Sequence, residues 1–186
     1  MKTIVFFLEE PSARAMLEAI TPRIFNNEDI IKYIVFQGKQ DLERQLMKKI
    51  KSWRTPETFF IVLKDQDMED CRIAKKRLMD KCVVSDNNKL IVRIACTELE
   101  SFYLGDLTAV EKAFNINGLA KKQNQKQFRS PDIIQKPSKL LKRITGERYQ
   151  KMSGSRSIAQ HMSLSSNGSR SFHNLIEAMR RLSSYE

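Results

Sequence analysis

Four short apolar runs, separated by stretches with helical spacing, organise the first half of the 186-residue chain. Lys2 to Leu8 is apolar almost throughout, which predicts a strand buried on both faces. A helix follows from Pro11 and Ser12 through Ile20, with Ala15, Met16, Ala19 and Ile20 as its apolar face, and Pro22 ends it. Ile30 to Phe36 reads as a second strand. Asp41 to Trp53 reads as a helix with Leu42, Leu46, Ile50 and Trp53 at core spacing. Thr58 to Leu63 is the third strand, Asp70 to Lys81 a basic-faced helix, and Leu90 to Ala95 the fourth strand. Strands alternating with helices predict an α/β fold with a parallel sheet and right-handed crossovers. Beyond the fourth strand the pattern is helical: Glu98 to Tyr103, Leu107 to Phe114, Lys136 to Ile144, Tyr149 to Met162 and Ser171 to Ser184. The polar residues 115–136, with KKQNQKQ at their centre, are expected to form an extended loop or arm. SLSSNGSRS is a polar turn between the last two helices.

At 41% hydrophobic residues the chain can bury a core, and its length suits one domain or a domain with a subdomain. Charge divides it. Residues 1–111 hold 18 Lys and Arg against 18 Asp and Glu, whereas residues 112–186 hold 15 against 4, so the second part carries the whole net charge of +11. We therefore expect an α/β core over 1–111 and a basic helical extension over 112–186 packed on it. A neutral half joined to a strongly basic half points to a polyanion partner; a solvated basic face is the alternative. The three cysteines Cys71, Cys82 and Cys96 form no CxxC pair, which suits a reducing compartment. With only His161 and His173, a His/Cys zinc site is not expected. The apolar run Ile4 to Leu8, ended by Glu9 and Glu10, is too short for a signal or a membrane span. The reading is of a soluble cytoplasmic protein.

Three groups of acids follow the predicted strands. Glu9 and Glu10 end the first, Asp65 and Asp67 the third, and Glu98 and Glu100 come after the fourth. In a parallel α/β sheet these positions share the edge where ligands bind. Convergent carboxylates repel one another, and a hard divalent cation such as Mg²⁺ or Mn²⁺ removes that cost. Polar loop ends are the simpler reading of any one acid; three groups at one edge favour a metal site. Other chemistries lack their residues. There is no GxxxxGK[ST], no GxGxxG after the first strand, and no Ser or Cys nucleophile beside a histidine in a strand-to-helix elbow.

An acid after the first strand and Asp-x-Asp after the third resemble the Toprim fold of topoisomerases, bacterial primases and overcoming-lysogenization-defect (OLD) nucleases. On that resemblance Glu9, Asp65 and Asp67 would hold Mg²⁺ for phosphodiester chemistry. A longer resemblance spans nearly the whole chain. FFLEEPSARAMLEAITPRI, VLKDQDMEDC, RIACTELESFYLGD, KPSKLL, YQKMSGSRSIAQHM and SRSFHNLIEAMRRL are similar to a family of small bacterial proteins known as domain of unknown function 4276. The resemblance implies a Toprim-like effector encoded beside ABC-type ATPases in anti-phage defence. Two positions depart from the Toprim pattern. Glu10 stands where glycine is common, and Ala13 and Arg14 stand where the first helix often carries a second acid. Glu98, Glu100 or Asp106 would have to supply what that helix lacks.

The basic half is rich in phosphate-binding residue types. Lys136, Lys139, Lys142 and Arg143 recur at helical spacing, and Lys151, Arg156 and Arg170 follow with Tyr149 and Phe172 interleaved. Cations neutralise phosphates, and exposed aromatic faces stack on bases. The alternative is a solvated face with both aromatics in the core. The leading expectation is Mg²⁺-dependent (or Mn²⁺-dependent) cleavage of phosphodiester bonds in nucleic acid. Glu9, Asp65 and Asp67 would hold the ion, Glu98 or Glu100 would support it, and Lys151 would contact the phosphate. The alternative function is a non-catalytic Toprim-like subunit that binds nucleic acid or nucleotide and docks on the ATPase.

Overall fold

The structure is a computed structural model that describes residues 1–66, 69–81 and 89–185. Its centre is a four-stranded, all-parallel sheet in the order β2-β1-β3-β4, formed by β1 (Thr3–Leu8), β2 (Ile30–Val35), β3 (Thr58–Asp65) and β4 (Leu90–Ala95). All six residues of β1 are buried, as its unbroken apolar run requires of a central strand. The register sets Leu8 beside both Val35 and Leu63, and Asp65 beside Ala95. The carboxyl ends of β1, β3 and β4 therefore meet at one edge, and the next residues of each strand converge there.

Period-2 alternation divides the core into two layers. On one face Val5, Phe7, Phe60 and Val62 pack against α2 (Lys39–Ser52) and α3 (Cys71–Lys81) through Leu42, Leu46, Ala74 and Leu78. Phe7 stacks on Phe60 at 5.7 Å between ring centres, a pairing worth about 0.5–1.5 kcal/mol beyond its area. On the other face Ile4, Phe6, Leu8, Ile61 and Leu63 meet α1 (Pro11–Ile20) and the helices of the second half. These are α4 (Glu100–Leu104), α5 (Leu107–Phe114), α6 (Pro137–Ile144), α7 (Lys151–His161) and α8 (Arg170–Ser183). Ile158, Leu175, Ile176 and Met179 belong to the same apolar cluster as Phe6. The helices of the basic half thus share one core with the sheet.

Two features differ from expectation. β3 continues through Lys64 and Asp65, so Asp65 is a strand residue held by pairing with β4. Residues 115–136 are no extended arm. They fold into two short 3-10 turns, Ala120–Lys122 and Pro131–Ile133, pinned by Leu119 and Phe128 in the core. Gln123 fastens them further. Its side chain donates to the carbonyls of Leu104 (3.1 Å) and Phe128 (3.2 Å) and accepts from the Leu107 N–H (2.7 Å). Leu119 and Phe128, nine positions apart with mostly Lys, Gln and Asn between them, leave no helix or strand signature to read. Among the described residues no helix is long and apolar enough to cross a membrane.

Candidate active site

The strand edge gathers four carboxylates and two lysines. Glu9, Glu10, Ser12, Lys64 and Asp65 line a small cavity of about 10 Å³, room for roughly one water-sized sphere. Lys64 comes from within β3, is 1% exposed, and donates to the Asp65 carbonyl oxygen at 2.8 Å. Its ammonium lies 3.9 Å from Glu9 Oε2. Glu10 precedes α1, accepts from the Ser12 hydroxyl at 3.1 Å, and receives the Lys151 ammonium at 2.8 and 3.1 Å. Glu100, in the first turn of α4, is 1% exposed and accepts from the Tyr149 hydroxyl at 3.0 Å.

The electrostatics follow from that crowding. Burial pushes the Asp65 carboxyl well above the ordinary range, the charges of Glu10, Glu100 and Glu9 raise it further, and Lys151 opposes them. Burial likewise raises Glu100, against hydrogen bonds from its own backbone N–H and from Tyr149. Burial alone would lower the Lys151 ammonium. The bond to Glu10 and the charges of Glu10, Glu100 and Asp65 outweigh it and hold Lys151 above its ordinary value. Carboxylates that would rather be protonated, with two ammonium groups set among them, form a site where positive charge is in demand. The donors are all oxygens, the set that suits a hard divalent cation. As placed, no three Asp, Glu, His or Cys side chains among the described residues stand close enough to hold an ion, and Asp67 lies outside those residues.

A family model, domain of unknown function (DUF4276), matches residues 8–180. The chain belongs to the DUF4276 family. Two solved structures share its fold. The C-terminal region of the Burkholderia pseudomallei OLD protein aligns with a TM-score of 0.59 at 16% identity, over 97% of this chain and 98% of that one. The C-terminal region of the Xanthomonas campestris pv. campestris OLD protein aligns at 0.51 and 14%, over 96% and 94%. The expected Toprim-like α/β architecture is therefore the observed one. No match was found among curated proteins.

In this DUF4276 chain the remaining acids have local partners. Glu98 Oε2 accepts from the Ser138 N–H at 2.8 Å, so it ties the first turn of α6 to the loop after β4, two residues from Glu100. Asp70 caps α3, accepting from the Arg72 and Ile73 N–H groups at 2.8 and 3.2 Å. Glu69 binds the Arg77 guanidinium, which also holds Glu43. Asp106 caps α5 through the Ala109 N–H and receives the Ser163 N–H at 2.7 Å. Of the acid-rich stretch 65–70, Asp65 alone among the described residues faces the cavity. Cys71 and Cys96 are half-buried, and burial pushes the Cys96 thiol up to about 11, far from a reactive thiolate. Cys82 lies outside the described residues. His161 is exposed, and His173 bonds the Asn167 carbonyl.

The basic residues separate in space. Lys136, Lys139, Lys142 and Arg143 are exposed on and before α6, whose apolar side is buried through Leu140 and Leu141. Lys151 joins the carboxylates instead. Arg156 lies 4.0 Å from Glu18, and Arg170 is exposed at the start of α8. Tyr149 and Phe172 are fully buried, so neither offers a face to a base. Tyr149 instead serves the site by donating to Glu100. Sequence reasoning missed that role, since the partners lie 49 positions apart. It also missed Lys64 and the Glu10–Lys151 pair. A lone lysine inside an apolar strand, next to an acid, was the available signal for Lys64.

Proposed function

We propose that the chain is a metal-dependent phosphodiesterase acting on nucleic acid, with its centre at Asp65. The observation that carries this reading is the gathering of Asp65, Glu9, Glu10 and Glu100 at the carboxyl edge of a Toprim-like sheet, where burial pushes the Asp65 and Glu100 carboxyls toward protonation. Glu9, Asp65, Asp67 and Glu100 would hold Mg²⁺ or Mn²⁺, and Glu98 would orient the loop that carries Glu100. A bound ion would supply an activated water and neutralise charge on the phosphate. Lys151, 51% exposed at its side chain, would turn from Glu10 to a substrate phosphate once the carboxylates are compensated. Lys64 stays with Glu9 and sets that carboxylate's orientation. Tyr149 opposes the upward push of burial on the Glu100 carboxyl and aims it. Purified protein should nick plasmid or transfer RNA with Mg²⁺ or Mn²⁺ and stop with EDTA. Asp65→Asn should abolish nicking, and activity that persists in EDTA would overturn the reading.

One observation favours a second reading, a non-catalytic subunit that binds nucleic acid or nucleotide. Ala13 is buried and Arg14 pairs with Glu18 at 2.7 Å, so α1 brings no acid to the site. Metal binding without cleavage of any nucleic acid would select it. In either case an ABC-type ATPase partner in anti-phage defence is the setting that the family resemblance implies. Co-expression should then give a co-purifying complex; an ATPase that never co-purifies, with cells tolerating the protein alone, would reject that partner.

A further inference from the structure

Five cations from two segments converge on one open cleft. Lys126 and Arg129 come from the segment before α6, and Lys136, Lys139 and Arg143 from α6 and its N-cap. The cleft has about 610 Å³, inside the range of roughly 300–1,000 Å³ typical of ligand sites. All five are exposed, and none forms a salt bridge among the described residues. No acid lines the cleft. The nearby carboxylates are engaged elsewhere: Asp132 with Ser169 and Ser171, Glu98 with Ser138, and Glu111 with the Ala120 N–H.

This concentration of charge is built rather than incidental. Phe128, 2% exposed, anchors the turn that carries Lys126 and Arg129, and Gln123 bonds its carbonyl. Lys136 holds a left-handed backbone, φ 55°, where the chain swings into α6. Like charges facing one space repel, and at physiological salt a screening length of about 8 Å leaves near neighbours coupled. A chain of phosphates removes that repulsion and releases its own condensed counterions. Ile133, 77% exposed at the cleft, adds an apolar edge that sugars and bases can use and bare phosphates cannot. The Glu98–Ser138 bond fixes the α6 wall beside the loop carrying Glu100.

We propose that this cleft binds the phosphodiester backbone of a nucleic-acid strand and guides it past the carboxylate site. That the strand is a substrate rests on the function proposed above; that the cleft binds it does not. The test is fluorescence anisotropy of a labelled 20-nucleotide single strand from 50 to 300 mM KCl, in EDTA so that no cleavage is read. Lys126→Ala with Arg129→Ala should weaken binding at every salt concentration. The log–log salt slope should become shallower by about 1.4, since each lost contact to a single strand removes about 0.7. Lys49→Ala with Lys51→Ala, the same loss of charge on α2, should leave the slope unchanged. Lys139→Glu, on the opposite wall, should repeat the weakening with an unchanged melting temperature. Equal slopes for the cleft and α2 variants would overturn the proposal. So would displacement of the strand by inorganic triphosphate as efficiently as by an unlabelled strand, which would assign the cleft to a small polyphosphate. Nicking with an unaltered slope would leave the catalytic reading standing and this one refuted.

Discussion

Removing one oxygen, in Tyr149→Phe, tests how the carboxylate site is held together. The Tyr149 ring is fully buried, and its hydroxyl donates to Glu100 Oε1 at 3.0 Å, with Ser155 Oγ a more distant neighbour at 3.4 Å. Phenylalanine keeps the ring, so packing changes little and the loss reports the hydrogen bond. A bond to a charged group contributes about 1.5–3 kcal/mol and a neutral one about 0.5–1.5 kcal/mol. The cost therefore depends on whether Glu100 is ionised. Burial raises the Glu100 carboxyl and the Tyr149 bond lowers it, so deleting the hydroxyl raises it further. Raising a folded-state carboxyl pKa removes stability as pH climbs through that pKa, because the native state then holds a proton that the unfolded chain has released. The variant should lose about 1.5–3 kcal/mol at pH 8 and about 0.5–1.5 kcal/mol at pH 4, which lies below the ordinary carboxyl value and so below the raised one. For a chain of this size each kcal/mol moves the melting temperature by about 2–4 °C. Thermal melts of both proteins at the two pH values read the difference directly. An equal loss at pH 4 and pH 8, or none at either, would show that Glu100 is not an ionised acceptor of Tyr149.

Two further substitutions probe the surroundings. Gly154→Ala should destabilise by about 1–3 kcal/mol, because the added Cβ would stand 2.6 Å from Tyr149 Cε2 and closer still to Cδ2, and a buried ring has nowhere to go; chemical denaturation measures it. Asp70→Ala should cost about 1 kcal/mol through the lost cap of α3 and leave metal binding untouched, whereas a lost metal response would make Asp70 part of the site.

The fold was legible because its strands are buried. β1 and β3 are apolar runs that no helix of that length explains, and the acids at their ends marked the carboxyl edge as the candidate site before any geometry was known. Identity within the site was less legible. Asp65, Glu69 and Asp70 look alike in sequence, yet one enters the cavity, one neutralises Arg77 and one caps a helix, and only tertiary placement separates them. The α6 cations were legible as a helical stripe. Their partners Lys126 and Arg129 were not, because the turn that presents them is shaped by Phe128 and Gln123 rather than by a periodic pattern. Spacing leaves open whether Tyr149 stacks on bases or lies in the core, because it carries no information on burial; the structure buries it.

Thermal melts of wild type and Asp65→Asn at pH 8, each with and without Mn²⁺, test the carboxylate centre most directly. Without metal the variant should be as stable as wild type or more so, since burial and three neighbouring glutamates disfavour the Asp65 charge. Metal at 100 times its Kd should stabilise wild type by about 2.7 kcal/mol, a rise of roughly 5–11 °C, because it binds the folded state alone. Asp65→Asn should respond little. Equal metal shifts in the two proteins would contradict a metal centre at Asp65.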